Sequence, residues 1–175
     1  KWLPSDPIAK YIPEFAHLKV FNGFDGAGKM MLADPDHAPT MRELMTHTAG
    51  FTYGNGETPA DKMYGALKVR DGKTLQDMID RLAQIPLIYQ PGKGWIYSLS
   101  MDIQGYIVRK LSGQSLPDFT RDHIFTPLGM KDAGFYVPAS KRDRFATNYH
   151  YDAKLNQLVA DEAGYSELPT APSGG

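Results

Sequence analysis

Apolar residues recur at helical spacing in the middle of the chain, and this pattern predicts helices there. The clearest segment begins at Thr74 and ends before Pro86, because apolar residues return every three or four positions between them. These positions are Leu75, Met78, Ile79 and Leu82. They would place one apolar stripe of a helix against a core.

A second helix is predicted after residue 97. Ser98 or Ser100 is a suitable N-terminal cap, and Gly113 lies where a glycine commonly ends a helix. The apolar positions between them are Ile103, Ile107, Val108 and Leu111. Their spacing repeats the helical period of the first segment.

Shorter helical segments lie on both sides of these two. Thr40 and Glu43 form a capping box that predicts a helix through about Thr46. Ser115 caps a further helix that continues to Ile124. Helix-like spacing also occurs over residues 7–15 and 60–69.

Strand patterns are fewer, and most of them lie late in the chain. Residues 18–21 and 29–32 flank a glycine-rich turn, which predicts a hairpin or an extended loop. Further strands are predicted over 134–137, 144–151 and 157–159, with a turn near 152–154. Because strands and helices do not alternate, the pattern predicts an α+β fold class, with residues 1–133 mostly helical and 134–175 strand-rich.

Composition narrows the classes of function. The net charge of −1 in 175 residues gives no basic field for nucleic acid, so no nucleic-acid partner is expected. The chain has no cysteine, which excludes disulfides and thiolate chemistry within it but does not separate a bacterial cytoplasm from a periplasm. No apolar run reaches the roughly 20 residues of a membrane span. Both ends read as interior sequence, so we expect an internal segment of a longer protein.

Four stretches resemble one family in matching order. Residues 39–51 read PTMRELMTHTAGF, similar to the pattern T-(I/M)-R-x-L-(L/M)-T-H-T-S-G, and residues 90–105 read QPGKGWIYSLSMDIQG, similar to P-G-x-x-(W/F)-x-Y-S. Residues 124–135 read IFTPLGMKDAGF, and residues 6–15 read DPIAKYIPEF. Together they resemble the serine β-lactamase-like hydrolases, which include class C β-lactamases, penicillin-binding proteins and family VIII carboxylesterases.

The resemblance implies a β-lactamase/transpeptidase-like fold, of which this chain would supply chiefly the helical domain. The family's nucleophile motif, Ser-x-x-Lys, does not occur among the 175 residues. Its place in the family order is upstream of Lys1, and a further motif on the oxyanion side belongs after Gly175. The implied reaction is acyl transfer through an acyl-enzyme without a cofactor.

Tyr97 matches the family's catalytic tyrosine. A phenol is a weak base at its ordinary pKa of about 10, but a neighbouring lysine ammonium favours its ionised form. The resemblance therefore implies that Tyr97 takes the proton of the serine and returns it to the leaving group.

Three further residues are candidates for contact with the substrate. Leu99 stands where lactamases carry an asparagine amide that holds an acylamino side chain, and leucine offers no such hydrogen bond. Trp95 and Tyr53 could line an apolar acyl pocket, although packing is an equal alternative for both. Leu99 favours an ester over a lactam as the small-molecule substrate.

The sequence does not indicate a catalytic or metal-binding role for the histidines. His47 could act as a base, but the family uses tyrosine and lysine, so a hydrogen-bonded structural role is the preferred interpretation. The remaining histidines lack metal-ligand spacing, and no metal site is expected.

The sequence thus favours a serine hydrolase of carboxylic esters. A β-lactamase or DD-peptidase is the alternative within the family. A binding domain that retains the penicillin-recognition fold without its chemistry is the alternative from another class.

Overall fold

The computed structural model describes residues 1–161. The first compact unit contains residues 1–119, and the second begins at Thr120. The part of the predicted strand-rich region that follows residue 161 lies outside the described residues.

The first unit combines short helices with one β-hairpin. Its α-helices are α1 (Met41–Met45), α2 (Pro59–Ala66), α3 (Leu75–Leu82), α4 (Ser100–Ser112) and α5 (Leu116–Thr120), which ends with the first residue of the second unit. Turns of 3-10 helix cover Ile8–Lys10, Pro13–His17 and Val69–Asp71. Strands β1 (Val20–Phe24) and β2 (Met30–Ala33) pair antiparallel, so of the two predicted alternatives, a hairpin and an extended loop, the structure has the hairpin.

Three of these helices begin at a threonine cap. The side chains of Thr40, Thr58 and Thr74 each accept a hydrogen bond from the backbone N–H three residues later. The carboxylate of that later residue accepts the threonine N–H in return, which completes a capping box. The capping box predicted at Thr40 and the helix start predicted at Thr74 are both confirmed.

The start of α4 differs from the prediction, and its end agrees with it. The N-cap is Leu99, without a side-chain cap, so the prediction of a serine cap is wrong. The Ser98 hydroxyl lies 3.1 Å from His47 Nδ1 and 2.8 Å from the Ser100 hydroxyl, and these contacts compete with capping. Gly113 closes the helix with a φ of 73°, a conformation that glycine adopts without steric cost.

The hydrophobic core of the first unit draws on residues 8 to 107. All four apolar positions predicted for α3 are buried in it, as are Ile103 and Ile107 of α4. Phe15 and Phe51 add an aromatic contact with their ring centroids 5.3 Å apart. Leu111, which shares the predicted face of α4, is exposed near the end of that helix.

The second unit contains a π-helical turn (Arg121–Phe125), a 3-10 helix (Ala139–Arg144) and a hairpin. The hairpin pairs β3 (Tyr149–Asp152) with β4 (Gln157–Ala160) antiparallel, which confirms the strand predicted over 157–159. Together α5 and the π-helical turn cover the helix predicted to reach Ile124.

Two strand predictions in this unit need correction. Residues 134–137 form bends and irregular structure, and no strand of the described residues pairs with them. Residue 144 ends a helix, so the strand predicted over 144–151 begins only at Tyr149. Lys141 and Arg144 form ion pairs with Asp132, so this segment turns back on itself.

Candidate active site

Two loops of the first unit bring the motif residues together. One spans residues 46–53 after α1, and the other spans residues 88–99 before α4. Backbone N–H groups of Ile88 and Gly92 donate to the carbonyls of Gly50 and Thr48, at 2.9 and 2.8 Å. Gly50 has a φ of 94°, and a Cβ there would lie 2.8 Å from the Tyr89 carbonyl, so glycine permits this close approach.

Tyr97 lies on the second loop with its side chain 58% exposed. Its ring centroid is 4.7 Å from that of His47 and 5.5 Å from that of Tyr53. The Trp95 ring lies 6.4 Å from His47 on the same surface. The structure therefore brings Trp95 and Tyr97 next to His47 and Tyr53 next to Tyr97, and we call these four residues the aromatic cluster.

His47 holds the loop on both sides of Tyr97. Its carbonyl accepts a hydrogen bond from the Ile96 N–H at 3.2 Å, and its Nδ1 accepts one from the Ser98 N–H at 3.2 Å. The Tyr89 hydroxyl also donates to the His47 carbonyl, at 3.3 Å. The preferred interpretation of His47 from the sequence, a hydrogen-bonded residue, agrees with these contacts.

Leu99 and Trp95 occupy different environments. Leu99 is 2% exposed and packs in the core of the first unit. Trp95 is 67% exposed on the loop that carries Tyr97. The contact with a substrate that the sequence suggests for both residues stays a prediction, and in the described structure only Trp95 presents its side chain at the surface.

Tyr53 has a raised pKa. Burial is the largest cause, and the negative charge of Asp102 and interactions with Tyr97, including a side-chain hydrogen bond, raise the pKa further. Arg70 opposes this shift in part. Tyr53 therefore stays protonated at neutral pH and is available to donate a hydrogen bond toward Tyr97.

A small cleft of about 120 Å³ opens beside Tyr53. It is lined by Tyr53, Gly54, Tyr64, Gly65, Lys68, Val69, Arg70 and Asp71. Pockets for drug-sized ligands commonly measure about 300–1,000 Å³. The cleft is therefore smaller than a pocket for a drug-sized ligand.

Sequence reasoning did not single out Tyr89, and it treated Ser98 only as a helix cap. Tyr89 and Ser98 lie 42 and 51 residues from His47 in the chain, so no local pattern could have paired them with it. Within residues 1–161, no group of three or more His, Cys, Asp or Glu side chains is arranged to hold a metal ion. No helix in that part of the chain is long and apolar enough to cross a membrane.

A comparison with models of protein families shows to which family the chain belongs. The family model described as Beta-lactamase matches residues 1–175. The chain belongs to the beta-lactamase family. The resemblance inferred from the four sequence stretches is thereby confirmed.

Curated relatives in this family carry names of esterases and acyltransferases. "Esterase EstB" of Burkholderia gladioli is 35% identical over 150 residues, which cover 82% of this chain and 34% of that protein. "Monacolin J acid methylbutanoyltransferase" of Aspergillus terreus is 30% identical over 162 residues, or 91% of this chain and 39% of that protein. The chain thus spans less than half the length of these relatives.

A solved structure shows the same fold. "EstCE1, a hydrolase with promiscuous acyltransferase activity" superposes with a TM-score of 0.72 at 25% identity, covering 99% of this chain and 47% of that one. The β-lactamase/transpeptidase-like fold expected from the sequence is therefore confirmed, with helices and short antiparallel strands in this chain.

Proposed function

We propose that this chain is part of a serine hydrolase that cleaves carboxylic esters through an acyl-enzyme, with Tyr97 as the proton-transfer base. The observation that carries the proposal is the position of Tyr97. Its phenol is exposed, yet its backbone is held on both sides by His47 and its ring is flanked by two aromatic neighbours.

The proposed reaction needs a serine nucleophile, which we place in a Ser-x-x-Lys motif outside these 175 residues. As the serine oxygen attacks the ester carbonyl, Tyr97 takes the serine proton. The tetrahedral intermediate collapses, and Tyr97 gives the proton to the departing alkoxide. Water then attacks the acyl-enzyme in the same way, and the carboxylic acid leaves.

The residue type at position 99, rather than its buried environment, supports an ester over a lactam. A buried leucine offers no amide to hold the acylamino side chain of a penicillin or a peptide. The esterase names among the relatives point in the same direction.

A second candidate is acyl transfer to an alcohol other than water. It is favoured by the relative named a methylbutanoyltransferase and by the solved structure described as a hydrolase with promiscuous acyltransferase activity. The exposed side of the aromatic cluster would then admit an acceptor alcohol in place of water. A binding domain without catalysis is the outcome that contradicts both candidates.

The test compares ester and lactam turnover by the purified protein that contains these residues. We expect hydrolysis of p-nitrophenyl butyrate to exceed hydrolysis of nitrocefin, and added alcohol to divert acyl groups if transfer occurs. Tyr97→Phe should lower kcat for the ester by a factor of about 10²–10⁴, the usual contribution of a general base. Tyr149→Phe is the matched control, because that tyrosine is similarly exposed but lies outside the cluster.

Three results would contradict the proposal. Faster turnover of nitrocefin would favour the lactamase alternative. Unchanged kcat in Tyr97→Phe would remove Tyr97 from the proton transfer. Absence of labelling by a fluorophosphonate probe would indicate a binding domain.

A further inference from the structure

We propose that His47 is a positioning residue that sets the orientation of Tyr97 through the backbone on both of its sides. The inference rests on the proposed function of Tyr97. In this proposal His47 holds the base in place; it does not take the proton itself and does not bind the substrate.

The first argument is the pair of backbone hydrogen bonds. His47 accepts the Ile96 N–H on its carbonyl and the Ser98 N–H on its imidazole Nδ1, each at 3.2 Å. Residues 96 and 98 flank Tyr97, so His47 holds the backbone on both sides of the proposed base. A side chain as exposed as that of Tyr97 has few other contacts to hold it, and proton transfer tolerates little displacement of the base.

The second argument is the hydrogen-bonding state of the imidazole. Because the Ser98 N–H is a donor, Nδ1 must be the unprotonated nitrogen, and the ring proton lies on Nε2. The Ser98 hydroxyl lies 3.1 Å from the same nitrogen and 2.8 Å from the Ser100 hydroxyl. The lone pair of Nδ1 thus accepts the Ser98 N–H, so this nitrogen is engaged in holding the loop.

The third argument is the backbone of His47 itself. Its φ of 58° lies in the left-handed region, which few non-glycine residues adopt. This conformation places the carbonyl toward Ile96 and Tyr89 while the ring packs against Tyr97, with the centroids 4.7 Å apart. Strain at this position is consistent with a functional constraint on the loop.

These arguments specify which substitution should restore function. Asparagine tolerates the left-handed region, and its Oδ1 offers an acceptor near the position of Nδ1. Glycine satisfies the backbone but has no acceptor, and alanine satisfies neither requirement. Comparing the three variants therefore separates the effect on kcat of the left-handed backbone from the effect of the hydrogen bond that the side chain accepts.

The experiment measures kcat and KM for p-nitrophenyl butyrate, together with the thermal midpoint, for His47→Asn, His47→Gly and His47→Ala. We expect glycine and alanine to lower kcat by roughly 10- to 100-fold, as small misplacements of catalytic groups do, with little change in KM. The His47→Asn variant should keep most of the kcat of the parent protein. Should His47→Ala fail to fold, the comparison of asparagine with glycine still carries the test.

A double-mutant cycle distinguishes positioning from general stability. If His47 acts through Tyr97, His47→Gly should have almost no further effect on kcat in a Tyr97→Phe background. An equal fold-loss in both backgrounds would overturn the inference, as would a glycine variant as active as the asparagine variant. An unchanged kcat in Tyr97→Phe alone would instead overturn the proposed function, so the two failures are distinguishable.

Discussion

At the scale of single residues, Tyr53 is the clearest partner for Tyr97. Its pKa is raised chiefly by burial, so its hydroxyl keeps a proton that can be donated toward Tyr97. Such a donor would stabilise the ionised form of Tyr97, which is the form that takes the serine proton.

Tyr53→Phe should therefore lower kcat without abolishing activity. A hydrogen bond to an ionised acceptor contributes about 1.5–3 kcal/mol, which corresponds to a loss of roughly 10- to 150-fold. Steady-state kinetics with a nitrophenyl ester measures this loss, and Tyr149→Phe again serves as the control. A loss as large as that of Tyr97→Phe would mean that the two phenols act as one unit.

Asp6 provides a prediction about pH at the same scale. Hydrogen bonds from the Tyr11 hydroxyl, the Leu3 N–H and Lys10 lower its pKa from 3.8 to about 2. Because the folded pKa is depressed, its stabilisation is present above the unfolded value and is lost as pH falls through about 2. The free energy of unfolding of Asp6→Asn should thus be lower than that of the parent at pH 7, and the difference should shrink toward pH 2. Chemical denaturation at several pH values tests this, and a constant difference would contradict it.

The sequence predicted Tyr97, Tyr53 and Trp95 as candidates but not the way in which they meet. Tyr97 could be found because its flanking motif is local. The link through His47 depends on two loops about 50 residues apart, and a sequence pattern does not encode such a contact. Leu99 shows the reverse case, since its place in the motif pointed to a substrate while its side chain packs in the core.

At the scale of elements, α2 begins with a capping box whose aspartate is buried. Asp61 is 2% exposed and accepts hydrogen bonds from the Thr58 hydroxyl at 2.6 Å and the Thr52 hydroxyl at 2.8 Å. The corresponding residue of α3, Asp77, serves its own cap at a partly exposed position. The two helices therefore start with the same motif in different environments.

Replacing each aspartate by alanine should separate the stability that comes from the helix cap from the stability that comes from the buried hydrogen bond. We expect Asp77→Ala to cost about 0.5–1 kcal/mol of unfolding free energy, as loss of a cap does. Asp61→Ala should cost about 2–3 kcal/mol, because it also leaves the buried Thr52 hydroxyl without its acceptor. Urea denaturation of the two variants measures the difference. Equal costs would show that the contact with Thr52 adds no stability.

Elements with local signals were the predictable ones. Caps and apolar periodicity located α1, α3 and α4, since both are properties of adjacent turns. The strands expected over 134–137 and 144–148 failed because a strand requires a partner, and none of the described strands pairs with these residues. Apolar or β-branched content alone does not supply that partner.

At the scale of the whole molecule, burial is unequally distributed. Among the described residues, the hydrophobic core runs from residue 8 to residue 107. In the second unit, none of the described residues has a buried side chain, and its large apolar residues, such as Leu128 and Leu158, are exposed. Its ion pairs at Asp132 are also exposed, and pairs of that kind contribute little stability.

Amide hydrogen exchange on the 175-residue chain should therefore divide at the unit boundary. Amides of Ile79, Ile103 and Ile107 belong to helices packed in the core and should exchange only in the most complete unfolding events. Amides of β3 and β4 should exchange much faster. The ladder pairs all four residues of each strand, but no buried apolar side chain supports this hairpin. The hairpin of β1 and β2 is the matched control, since its Val20 is buried in the core. Protection of the β3–β4 ladder equal to that of α3 would contradict the assignment of stability to the first unit.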